Sequence, residues 1–103
     1  MPIITMIVKE DLNTVVKICE SIDINKDFHY LQGVARELKL YCISTIDEAG
    51  NTIINQPQME LFTQEIRQLR QREDINQDIL DKLQNALDAV SPYSHKYIKF
   101  EGD

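Results

Sequence analysis

The chain has 103 residues, 43% of them hydrophobic, and a formal net charge of −6 from seventeen acidic and eleven basic side chains. That is enough apolar material for one packed core and too little chain for two, so a single α+β domain over 1–103 is expected and a disordered chain is excluded. The acidic balance disfavours a nucleic-acid phosphate backbone as partner, and no apolar run approaches the roughly 20 residues of a membrane span.

Ile3, Ile4, Thr5, Met6, Ile7 and Val8 form a β-branched run bounded by Pro2 and Lys9-Glu10-Asp11. Apolar residues on both alternating faces predict a strand inside a sheet, with helices on at least one side. From Asp11 the spacing changes to threes and fours, and Leu12, Val15, Val16, Cys19 and Ile22 predict a helix that ends by Asp23. Asn25 or Asp27 then caps a second helix carrying Phe28, Leu31, Val34, Ala35 and Leu38. Gly33 inside it costs about 1 kcal/mol against Ala, and is expected to mark the close approach of another backbone. Residues 40–46 alternate and are rich in strand formers, Asp47-Glu48-Ala49-Gly50-Asn51 offers a turn, and Thr52-Ile53-Ile54 completes a hairpin.

The longest apolar periodicity lies in 55–91. Met59, Phe62, Ile66 and Leu69 define the face of one helix, and Ile79, Leu83, Ala86, Leu87 and Val90 that of the next. Asn55, with Gln58 three residues on and Pro57 in the first turn, begins the first helix; Asp74 or Asn76 caps the second, and Ser91-Pro92 stops it. His95, Lys96, Tyr97, Ile98, Lys99 and Phe100 alternate as a last strand. The predicted order is β-α-α-β-β-α-α-β: an α+β layer structure with a small mixed or mostly antiparallel sheet and two helical pairs. Phe62, Ile66, Leu83, Leu87 and Phe100 are the predicted core.

Residues with chemistry are few. Cys19 and Cys42 fall on apolar faces far apart in sequence, without the clustered ligands that zinc requires, so inert core thiols are expected over a redox or disulfide role, and no metal or cofactor is expected. Gly33, Gly50 and Gly102 are isolated and build no phosphate loop, and no serine sits in a nucleophile elbow. His29 and His95 form an acid/base site only where folding brings one of them to a carboxylate such as Asp27 or Glu101; otherwise each is a partly exposed histidine at an element end. Arg67, Arg70 and Arg72 form a basic stretch, but Glu60, Glu65, Glu73 and Asp74 surround it, which opposes a nucleic-acid patch. Acidic residues are the stronger lead: Asp78 and Asp81 lie one helical turn apart with no lysine between them, and Asp47 and Glu48 add charge at the hairpin tip. These four are the expected partner-binding residues, with the surfaces around Tyr41, Tyr93 and Tyr97 next.

The short first strand, the two helical pairs, the acidic balance and the closing Tyr97-Ile98-Lys99-Phe100-Glu101-Gly102-Asp103 together resemble small immunity proteins of bacterial polymorphic-toxin and contact-dependent growth inhibition systems. The resemblance implies a cytoplasmic, non-catalytic protein that binds and neutralises a cognate toxin domain, often a nuclease with a basic active site. The N-terminal run, which lacks a basic leader and a small-residue cleavage site, agrees with a cytoplasmic location. Two other classes stay open: a non-catalytic subunit or adaptor, including a homodimer through an apolar remainder of the helical hairpin, and a small enzyme using His29 or His95.

Overall fold

The structure is a computed structural model and describes residues 3–10, 14–90 and 96–102. It is an α+β fold with a four-stranded antiparallel sheet: β1 (Ile3–Lys9), β2 (Val15–Asp23), α1 (Lys26–Glu37), α2 (Tyr41–Ser44), β3 (Asn51–Ile54), α3 (Gln56–Leu69), α4 (Gln77–Val90) and β4 (Tyr97–Gly102). Strands lie in the order β2-β1-β4-β3, so the 3–8 run is internal to the sheet, as its two-sided apolar character requires. Ile4 pairs with Ile22, Met6 with Phe100 and Val8 with Ile98, and these side chains join the helices in one core. Ile7 pairs with Ile18 on one side and Lys99 on the other, which places them on the opposite face of the sheet.

The α+β class, a small antiparallel sheet and the second helical pair are as expected, but two segments exchange type, which changes one strand of the sheet and the first helical pair, and the chain order becomes β-β-α-α-β-α-α-β. The helix expected through Val15, Val16, Cys19 and Ile22 is strand β2; Leu12 of that stripe lies outside the described residues. Its ladder with β1 shifts register twice, between Thr5 and Ile7 and between Val8 and Lys9, and each shift inserts an extra residue in β2. Two insertions in nine residues break the period of two and leave apolar residues at steps of three and four.

The other exchange is at 40–46, expected as a strand and folded instead around the four-residue helix α2. A helix this short has more orphan backbone groups than internal bonds, so its stability comes from elsewhere. Glu65 of α3 supplies it: one carboxylate oxygen accepts from Cys42 N and the other from Ile43 N, each at 3.0 Å. From the other side Gln32 donates through Nε2 to Ile43 O at 3.1 Å and Ile46 O at 2.8 Å. Both residues are buried, and Glu65 is only 1% exposed. Glu65 is therefore no part of a surface acid ring around the arginines.

Local chemistry elsewhere follows the sequence closely. Asn25 caps α1 by accepting from Asp27 N and Phe28 N, Gln58 accepts from Asn55 N, and Asn76 caps α4 by accepting from Asp78 N. The first helix ends in a left-handed residue, Lys39 with φ 60°, while Lys39 N bonds Arg36 O and Leu40 N bonds Ala35 O. Phe62, Ile66, Leu83, Leu87 and Phe100 are all buried, with the rings of Phe62 and Phe100 6.0 Å apart. Ser91, Pro92, Tyr93 and His95 lie outside the described residues. No helix among the described residues is long and apolar enough to cross a membrane.

Candidate functional site

With the first arm of the expected hairpin helical, Asp47 and Glu48 are not at a hairpin tip but in the connection from α2 to β3. Neighbouring backbone fixes that loop. Asp47 N donates to Thr52 Oγ1, Asp47 Oδ1 accepts from Ala49 N, and Gly102 N donates to Gly50 O. A Cβ on Gly102 would overlap the Glu48 carbonyl, so the close approach that requires glycine is here. Gly33, where close approach was expected, has nothing within 4 Å of its Cβ direction and stands open.

Glu48 reaches α1, where its Oε2 lies 2.7 Å from His29 Nε2. One residue on, the Tyr30 hydroxyl donates to Asp74 Oδ2. Arg72 closes on the same carboxylate through Nε at 2.9 Å and a second nitrogen at 2.8 Å. This fork and then the Tyr30 hydrogen bond hold the Asp74 carboxyl well below the usual carboxylate range, while the carboxylate pushes the Tyr30 phenol up and keeps Arg72 charged. Asp27 accepts from Asn76 Nδ2 at 3.1 Å, and Asn76 caps the turn that carries Asp78. Asp81 follows, bonded to Arg70 at 2.9 Å.

The expected partner-binding residues thus stand at the two ends of one polar row that crosses α1. Glu48 and Asp81 have basic partners, His29 and Arg70. Asp47 and Asp78 have no ion pair among the described residues. In the middle is a groove of about 370 Å³ lined by His29, Tyr30, Gly33, Val34, Glu37 and Arg72. Tyr30, Gly33, Arg72 and Asp74 were not foreseen as site residues. A glycine on the polar side of a helix, with no packing reason for its cost, was the signal that pointed there.

The His29 and Glu48 pair has the geometry of an acid/base couple, but its side chains are 55% and 46% exposed, so it is a solvated surface contact. His95 lies outside the described residues. Both cysteines are free thiols. Burial, with Glu65 close by, pushes Cys42 up to about 12, and burial also raises Cys19. Among the described residues no group of His, Cys, Asp and Glu has the makings of a metal site. Of the three tyrosine surfaces, Tyr41 is exposed, Tyr97 is half-buried on β4, and Tyr93 is outside the described residues. In comparisons with protein-family models, with curated proteins and with solved structures, nothing matches this chain.

Proposed function

We propose that this chain is an immunity-type protein that acts in the cytoplasm by capturing a cognate toxin domain of basic character, such as a nuclease, and occluding it without catalysis. The observation that supports this reading is the polar row itself. Glu48 and Asp74 bond His29 and the exposed Tyr30, which line one groove with Gly33 and Arg72, and Asp27, Asp78 and Asp81 carry the row on to α4. Gly33 lets a partner's backbone approach the helix, Tyr30 supplies a rigid amphipathic contact, and the acids steer a basic surface. The net charge of −6 argues against nucleic acid as the partner.

The four acids do not contribute equally. Asp81 has the counter-charge of Arg70 beside it, whereas Asp78 has no ion pair among the described residues, so Asp78→Lys slows association more than Asp81→Lys and flattens its salt dependence. The test is stopped-flow association with the toxin-like domain encoded in the adjoining reading frame, at several salt concentrations. Absence of binding to that domain, or binding indifferent to Asp78→Lys, Asp47→Lys and Gly33→Leu in folded variants, refutes the reading.

A further inference from the structure

The groove beside Tyr30 leaves the edge of the sheet at β2 unexplained. β2 is the terminal strand of the sheet, so one side of its backbone has no strand beside it among the described residues. At its far end Lys82 of α4 caps the strand backbone, its Nζ donating to Ser21 O at 3.2 Å, while Asn85 Nδ2 donates to the Glu20 side chain at Oε2, 2.9 Å. Toward its start the edge is open, and Val15 and Ile18 are 51% and 65% exposed. Alongside this stretch runs a groove of about 470 Å³ between β2 and α4, lined by Lys17, Ile18, Cys19, Glu20, Asn85 and Asp88 among others. A strand added beyond β2 would lie in that groove with its helix-side side chains against α4.

The geometry points to a second copy of this chain as the occupant, its β2 pairing antiparallel with this one about a two-fold axis at Ile18. Charge along the strand carries the choice. In that register Ile18 meets Ile18 of the other copy on the open face, and Lys17 comes opposite the bulge at Cys19 and Glu20. Lys17 pairs with the core-facing Val8, and the bulge lies opposite Met6, which also faces the core, so these charges share the helix side of the sheet. An edge lysine ordinarily guards a strand against pairing. Here it has no ion pair among the described residues, and the facing Glu20 carboxylate retains acceptor capacity beyond its bond to Asn85. The two sheets then join into one, with the polar rows on α1 left outside the contact. Most of the apolar stripe of the helical hairpin, the other route to a homodimer, faces inward: Phe62, Ile66, Leu69, Leu80, Leu83 and Leu87 are in the core, and Leu61 is the large apolar side chain of α3 left exposed.

Sedimentation equilibrium over a wide concentration range tests the pairing, with circular dichroism confirming that each variant is folded. The wild type is expected to reach twice the mass of the chain. Lys17→Glu and Glu20→Lys alone each weaken the dimer about tenfold, and the double variant Lys17→Glu with Glu20→Lys recovers it, because the exchanged charges meet again in this register. Ile18→Cys in a Cys19→Ser background forms an intermolecular disulfide on mild oxidation, since residues opposite one another in an antiparallel pair lie within disulfide reach. A wild type that stays monomeric at every concentration overturns the proposal. So does a dimer that ignores the single charge reversals, or one that the double variant fails to restore.

Discussion

Removing the Glu65 carboxylate tests the account of α2 most directly. Both of its oxygens accept backbone N–H groups, Cys42 and Ile43, at 3.0 Å in a site that water does not reach. Glu65→Leu matches the neighbouring apolar stripe in character but leaves both donors without an acceptor. Each buried, unsatisfied group costs about 1–3 kcal/mol, so the loss should be about 2–5 kcal/mol, a large fraction of a typical domain's stability. Glu65→Gln keeps one carbonyl acceptor and turns an NH2 toward the second donor, so about half that loss is expected. The opposing effect is the cost of burying a carboxylate, which leucine removes. Two hydrogen bonds to a charged acceptor at a helix N-terminus outweigh it. Urea denaturation gives the global change through the midpoint at constant slope, and hydrogen exchange at the Ile43 amide reports α2 alone. If Glu65→Leu is as stable as the wild type and Ile43 stays equally protected, desolvation dominates and the reasoning fails.

Four further outcomes follow from the same contacts. Gly33→Ala places a methyl group in open space and removes a helix-interior glycine, so it should stabilise by about 0.5–1 kcal/mol in urea denaturation; a loss of stability would show that the open space is not there. Lys39→Gly relieves a left-handed L-residue at the end of α1 and should raise stability by up to about 1 kcal/mol, set against the greater freedom of glycine in the unfolded chain. Asp74 has a depressed carboxyl pKa in the folded state, so its contribution is present above the ordinary value of 3.8 and is lost as pH falls below it. Acid titration of stability should therefore be shallower for Asp74→Asn than for the wild type, and identical curves would remove the fork from the acid response. Near pH 8 an alkylating reagent should modify Cys19 well ahead of Cys42, which is more deeply held and stays protonated to about 12; mass mapping of the modified peptides checks the order.

Much of this fold is legible without coordinates because it rests on interactions between near neighbours in sequence. The stripes of α3 and α4, the caps at Asn25, Gln58 and Asn76, and the internal strand at 3–8 each follow from residues a few positions apart. The polar row was legible only at its ends. Asp78 and Asp81 are local to one helix, but the pairing of Glu48 with His29 and of Tyr30 with Asp74 joins residues 19 and 44 positions apart.

Where reading the chain went astray, distant contacts had displaced local preference. In β2 the pairing with β1 imposed two register shifts, and a bulged strand acquired the spacing of a helix. At 40–46 the alternation was real, but Glu65 and Gln32 reach in from α3 and α1 to satisfy both ends of a single helical turn, a bargain no local pattern shows. The one trace was Glu65 itself, an acid one turn from Phe62 and Leu69 and next to Ile66, on a stripe otherwise apolar. Composition and periodicity thus determined the α+β class, the three long helices and most of the core. Tertiary structure decided which segment became the edge strand and which acids gained a basic partner, because both depend on which groups meet once the chain has closed on itself.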